Sequence, residues 1–553
     1  MIKEPFIETL RNAIRDNWDS PAFTDYGTDV TMTYADVAQQ IEHLHILFRA
    51  CGITKNDRIA LMGKNTSSWV VTYIASMTYG AIIVPILQDF RANDALHIIN
   101  HSESKLLFIA DTLYENMDIA QMEQVSVVFS LTNFEPLAVA SGLKKADVTP
   151  QHIQQEFERL YPDGIKPDQL VYSDKQNDEI ASFNYTSGTT GFSKGVVTPL
   201  NALAGNVQFC NDVHVTYRGC RQVVFLPLAH SFGCAFDFLS CFCAGGHEWL
   251  MGRIPSPKIL LQAFAEVKPT CVLTVPLILE KIYKSKIVPE ISKPPVSWVM
   301  KVPLLDEVVL SKLRQALLDA FGGCVNEVII GGAPLNTEVD LFLKRIRFPY
   351  TVGYGMTECA PLISYVNSKD YKPQSCGKPL DGLMEVRIDK PNSEGIGEIQ
   401  VRGEHTMLGY YKNTEATRLI FTEDGWLKTG DLGYIDKDNF IFIKGRDKSM
   451  LLGPSGQNIY PEEIEAKLNN MPYVMESLVI QEEGALVALV CPDYVTADAD
   501  HLTTEMLEAA MERNRRDVNA QIASYEQISE VRLYPHEFEK TPKKSIKRFL
   551  YTH

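Results

Sequence analysis

Residues 185–195 read YTSGTTGFSKG, a run of glycines and hydroxyl side chains with a single lysine. Little in it can be buried, so its use lies in its polar groups. Glycines let a backbone turn its N–H groups inward to make a concave anion site. Thr186, Ser187, Thr189, Thr190 and Ser193 add hydroxyl donors, and Lys194 adds charge. The nearest familiar pattern is GxxxxGK[ST], in which such a loop cradles nucleotide phosphates. Gly188 and Lys194 have the right separation, but Ser193 replaces the second glycine and Gly195 replaces the metal-binding hydroxyl. The segment is therefore either a phosphate cradle of another kind or an exposed polar turn. Its residues alone admit both readings.

Further blocks follow in order. GGAPL begins at Gly331 after NEVII, and GYGMTE begins at Gly353 after FPYTV. GWLKTGDLGYID begins at Gly425, and GRDKSMLLGPSGQNIYPEEIE begins at Gly445. MTYADV (32–37) and YGAIIVPI (79–86) precede them. Together these blocks resemble the adenylate-forming superfamily of acyl-CoA ligases, amino-acid-activating domains and luciferases, over nearly the whole chain. The resemblance implies binding of ATP, magnesium and coenzyme A, and it distributes roles. Thr186, Ser187, Gly188, Thr189, Thr190 and Lys194 would meet the β- and γ-phosphates. Glu358 would hold magnesium, which suits a hard cation's preference for oxygen, and Thr357 would meet the α-phosphate. Gly332, Ala333, Tyr354 and Gly355 would line the adenosine, with Tyr354 stacking on the base. Asp431 would accept from the ribose hydroxyls, and Arg446 would stand nearby. His230, in LPLAHSFG, would lie at the carboxylate pocket. Lys448 would be the hinge of a mobile C-terminal domain, and Gly456 would line the thiol tunnel in its second orientation.

The pattern fails in one place. The family's last block places a catalytic lysine after KT, whereas this chain reads FEKTPKKSIKRFLY from Phe538. Aligning KT on Lys540 and Thr541 puts Ser545 at the lysine position, and serine cannot supply positive charge. A one-residue shift would bring in Lys544, which is the expected catalytic lysine.

Amino-acid-activating members carry an aspartate where Ser231 stands, which argues against an amino-acid substrate. VPLILEKIY and GYGMTECAPLIS look most like long-chain fatty acid–CoA ligases. The expected partners are thus a medium- or long-chain fatty acid, ATP and coenzyme A, with an acyl carrier protein as alternative acceptor. A nucleotide-binding protein with impaired chemistry is the remaining alternative.

These residues need elements to hold them. Apolar runs such as DRIALMG, AIIVPI, KLLFIA and EVIIGG alternate with helical patterns. That alternation predicts an α/β fold of layered, largely parallel sheets. From about residue 383 to 446 the runs alternate apolar and polar residues between glycine turns, which predicts a small β-barrel subdomain. The expected organisation is an N-terminal AMP-binding domain over 1–446 and a mobile α+β domain over 447–553. Phe6, Leu10, Ile14 and Trp18 recur at helical spacing, so the first residues read as an amphipathic helix rather than a secretory leader. The uncharged stretch 65–88 has spanning length, but Gly80, Pro85 and its hydroxyls favour a buried helix followed by a buried strand. A formal charge of −16 excludes a broad basic face for nucleic acid. Eleven cysteines without a CxxC pair suit reduced thiols. The expected location is the cytoplasm, with at most peripheral contact at the inner membrane surface.

Overall fold

The computed structural model describes residues 2–28, 30–186, 193–252, 255–291, 293, 306–452, 457–482, 484–541 and 546–551. Its largest sheet has eight strands. In spatial order they are Gly409–Tyr410, Lys194–Pro199, Ile180–Thr186, Ile82–Ile86, Arg58–Met62, Ser104–Ile109, Val127–Ser130 and Pro136–Val139. The middle of the sheet is parallel. Its residues divide by alternation. Ile59, Leu61, Leu106 and Phe108 join one core, while Ala60, Met62, Leu107 and Ile109 join another on the opposite face. Both faces are covered, which is why these strands read as unbroken apolar runs.

Local signals set the covering helices. In MTYADV, Thr33 accepts from the Asp36 N–H and the Asp36 carboxylate accepts from the Thr33 N–H, a capping box that starts the helix Tyr34–Ala50. Thr66 caps Ser67–Tyr79, and Gly80 ends that helix at φ 92°. The strand Ile82–Ile86 follows, so the uncharged stretch is a buried helix and strand as expected. Among the described residues no helix is long and apolar enough to cross a membrane.

Two further sheets lie over a second core. One joins Arg221–Val224, His247–Leu250, Pro21–Asp25 and Thr31–Thr33. The other is parallel and joins Cys271–Thr274, Glu327–Ile330 and Tyr350–Val352. The carboxyl ends of its last two strands run directly into GGAPL and GYGMTE. Open parallel sheets bind ligands at those ends.

The β-rich region is not a barrel. Met384–Asp389, Gly397–Gly403, Leu427–Ile435 and Ile441–Arg446 form an open four-stranded antiparallel sheet. Its two outer strands do not pair with each other among the described residues. Four strands are too few to close around a filled interior, which takes about eight. Beyond it, Val474–Glu482, Ala485–Pro492 and Ile528–Leu533 form a sheet against the helices Pro461–Leu468 and Thr504–Asn519. The main core of this part draws its buried members only from residues 459–528.

Candidate active site

The glycine-rich loop joins two antiparallel strands, with Thr186 and Lys194 as register partners at its base. A P-loop instead leads into a helix, so the departure seen in the motif is also a departure in geometry. Ser187, Gly188, Thr189 and Thr190 lie outside the described residues. The base of the loop is tied to the sheet edge. Gly409–Tyr410 pairs with Lys194–Pro199, and the Lys194 ammonium sits 5.0 Å from the centre of the Tyr410 ring. The Tyr410 hydroxyl donates to Glu358 Oε1 at 2.8 Å. Glu358 stands in the short turn Thr357–Cys359, and its carbonyl accepts from the Met407 N–H at 2.8 Å. One tyrosine thus touches both the lysine and the carboxylate.

Asp431 is 4% exposed. The Tyr354 hydroxyl donates to its Oδ2 at 2.6 Å, and Arg446 Nε lies 3.0 Å from Oδ1. Asp431 and Arg446 are register partners on adjacent antiparallel strands, which accounts for that pairing. Burial pushes the Asp431 carboxyl above the usual range, Arg446 and Tyr354 pull it back, and Glu358 and Glu462 push it further up. Tyr354 is buried, and its hydroxyl is committed to Asp431 rather than free.

Gly332 and Ala333 are exposed just past the strand Glu327–Ile330, and Gly332 has φ 85°, a conformation that favours glycine. Gly355 is needed for another reason: a Cβ there would lie 2.2 Å from the Pro361 carbonyl oxygen. His230 is half-buried, and its Nδ1 accepts from the Phe232 N–H at 3.2 Å. In a neutral ring that leaves the proton on Nε2. Lys448 is exposed in the turn Asp447–Ser449, immediately after the strand Ile441–Arg446. Gly456 and Lys544 lie outside the described residues.

Thr186, Lys194, His230, Gly332, Ala333, Tyr354, Gly355, Thr357, Glu358, Asp431, Arg446 and Lys448 all line one continuous cleft of about 3250 Å³. Phe209, Cys210, Val215, Phe225, Phe236 and Leu260 line the same cleft. Sequence reasoning missed this apolar lining, because its residues carry the same pattern as an ordinary core. It also missed the π-helix Gly233–Leu239 that sets Phe236 in place. Tyr410 and Glu462 were missed as well, since both meet the site through pairings distant in sequence.

A match to the family model described as "AMP-binding enzyme" extends over residues 10–411. The chain belongs to the AMP-binding enzyme family. The matched segment of this AMP-binding enzyme includes Lys194, His230, Tyr354, Glu358 and Tyr410 and ends before Asp431. The chain is similar to the long-chain-fatty-acid–CoA ligase FadD15 of Mycobacterium bovis, at 28% identity over 96% of this chain and 92% of the relative. It is also similar to the putative acyl-CoA synthetase YngI of Bacillus subtilis, at 29% identity over 78% and 76%. Among solved structures, ATP-bound MatB from Rhodopseudomonas palustris superposes with a TM-score of 0.76 at 20% identity, covering 99% of this chain and 98% of that one. That likeness supports the α/β fold.

The donor set fits magnesium. Among the described residues no group of three or more His, Cys, Asp or Glu could hold a metal. Glu358 therefore offers a single carboxylate. Magnesium accepts that arrangement, because it keeps several waters and takes further oxygens from phosphates.

Proposed function

We propose that this AMP-binding enzyme activates a medium- or long-chain fatty acid with ATP and transfers the acyl group to coenzyme A. A carboxylate oxygen attacks the α-phosphorus of ATP, the bond to the bridging oxygen breaks, and pyrophosphate leaves with the electron pair. The thiol of coenzyme A then attacks the acyl carbon, loses its proton, and expels AMP. The first step is largely a matter of positioning and of neutralising charge.

Each residue has a task in this scheme. Thr186, Lys194 and the loop between them receive the β- and γ-phosphates. Thr357 meets the α-phosphate. Asp431, oriented by Tyr354 and Arg446, accepts from the ribose hydroxyls, while Gly332, Ala333 and Gly355 leave room for the flat base. His230 orients the carboxylate, and the apolar lining of the cleft receives the chain. Glu358 would hold magnesium, which when bound would neutralise polyphosphate charge. Lys448 serves as the hinge between an N-terminal domain over 1–446 and a C-terminal domain over 447–553, and Gly456 lines the thiol path.

One observation carries the reading: Lys194, Glu358 and Asp431 face a single cleft that also has an apolar lining, including Phe209, Phe225 and Phe236. The names of the similar ligases agree with it. The test is acid-dependent exchange of labelled pyrophosphate into ATP across a panel of carboxylic acids, followed by addition of coenzyme A. Exchange confined to fatty acids, with thioester after coenzyme A is added, is expected. No exchange with any acid refutes the reading. Lys544→Met is expected to abolish exchange while sparing thioester formation from supplied acyl-AMP. If Lys543→Met alone does so, the assignment of Lys544 is wrong.

A further inference from the structure

Glu358 is pinned by the protein at two points. Its carbonyl accepts from the Met407 N–H at 2.8 Å, and its Oε1 accepts from the Tyr410 hydroxyl at 2.8 Å. Among the described residues Oε2 makes no hydrogen bond or ion pair. The side chain is half-buried and lines the cleft. One oxygen is therefore committed to the protein, and the other is left for a cation.

The committing group is itself held firmly. Tyr410 is 8% exposed. Gly409 and Tyr410 pair with Val197 and Val196 on the strand Lys194–Pro199, and the Tyr411 N–H donates to the Gly195 carbonyl at 2.8 Å. The Tyr410 N–H donates to Thr417 Oγ1 at 2.9 Å. Thr417 lies in the helix Thr414–Ile420, whose start is capped by Asn413. A sheet edge and a helix thus fix the backbone that carries the phenol. The Lys194 ammonium, 5.0 Å from the ring centre, covers one face of the ring. What results is a rigid donor aimed at a single carboxylate oxygen.

That geometry bears on which cation is accepted. Calcium takes about six to eight oxygens and often both oxygens of one carboxylate. Magnesium is smaller, demands an octahedron and keeps several waters, so one carboxylate oxygen suffices. Groups that hydrogen-bond to a metal ligand set its orientation and tune the metal it holds.

We infer that Tyr410 is a specificity-determining residue for the cation that accompanies ATP: by holding Oε1 it keeps Glu358 a one-oxygen ligand, which favours magnesium over calcium. The inference rests on the proposed function, because it takes Glu358 as the acid that meets the cation. Tyr410 acts through Glu358.

The test reads binding as well as turnover. Affinity for ATP is measured by calorimetry at saturating magnesium and at saturating calcium, with no carboxylic acid substrate present, and affinity for AMP is measured in EDTA. Tyr410→Phe keeps the ring beside Lys194 and removes the donor. It is expected to narrow the preference for magnesium over calcium roughly 10-fold, the low end of what a partner of a metal ligand contributes. Affinity for AMP in EDTA holds. Pyrophosphate exchange with laurate narrows between the two cations in the same sense. In a Glu358→Gln background the substitution changes the ratio no further, because both act through one side chain. A thermal melt establishes folding, and if Tyr410→Phe does not fold, Tyr410→Met, which also lacks a donor, takes its place. An unchanged ratio in a folded variant overturns the inference. So does an equal loss of AMP affinity, the mark of a merely structural role, and so does an unaltered protein that binds ATP equally well with either cation. Absence of ATP binding by the unaltered protein with both cations is distinct: it removes the functional reading itself and this inference with it.

Discussion

The two sides of the cleft are built on different principles. On the side proposed to hold the nucleoside, Tyr354, Asp431 and Arg446 are held on strands and bonded to one another at 2.6 and 3.0 Å. On the side proposed to meet the phosphates, Lys194 stands at the register pair Thr186–Lys194, and the tail supplies Lys540 and Lys547 beside the bridge Lys540–Ile546. The first side is organised by buried hydrogen bonds, which are costly to leave unmade. The second is organised by ionic and aromatic ties at those lysines. A site that recognises an unchanging nucleoside can be set in advance. A site that follows charge moving from one bond to another is better served by groups mounted on loops.

Mutations on the two sides are therefore expected to fail differently. The largest effect belongs to Glu358→Gln, which keeps an acceptor for Tyr410 but loses the charge proposed to hold magnesium. Exchange falls on the order of 10²–10³-fold, the loss typical of one removed transition-state stabiliser, and the magnesium concentration for half-maximal rate rises. An unchanged magnesium requirement breaks the comparison on the phosphate side. Next is Asp431→Asn, which raises KM for ATP roughly 10–100-fold, as a lost charged hydrogen bond implies, while kcat holds. Tyr354→Phe sharpens this point, with KM for ATP rising roughly 2–10-fold if the hydroxyl serves only to orient Asp431. A fall in kcat alone contradicts the nucleoside assignment.

The smallest effect is on stability. Burial pushes the Glu465 carboxyl up to about 7, against the pull of Arg548 and the Val479 N–H, with Glu462 adding to the rise. The folded protein thus holds a proton that the unfolded chain releases near the ordinary carboxyl range. Stability from this group is fully present below that range and declines as pH rises to about 7, by at most about 3 kcal/mol. Thermal melts of Glu465→Gln between pH 5 and 8 are expected to show a flatter dependence than the unaltered protein. Identical slopes would show that Glu465 does not titrate in this window.

Local chemistry made the layered sheets legible. Apolar runs such as DRIALMG read as buried strands, and Gly80 and Pro85 broke the uncharged stretch into a helix and a strand. Asp431 and Glu358 were reachable through their blocks, because the residues around them are close in sequence. The edge pairing of Lys194–Pro199 with Gly409–Tyr410 was not, since that strand lies more than two hundred residues away and leaves no periodic mark. The open sheet was mistaken for a barrel because alternation reports which face a residue takes, while closure depends on strand number and stagger. The apolar lining was invisible for a related reason: Phe225 and Phe236 look the same whether they face a neighbour or a void.

Tyr410 has a wider consequence. Its ring face meets an ammonium and its hydroxyl meets a carboxylate, so a single rigid side chain spans the positive and negative poles of the site. In the proposed function, a metal–polyphosphate chelate entering whole would meet both of that ring's partners at once.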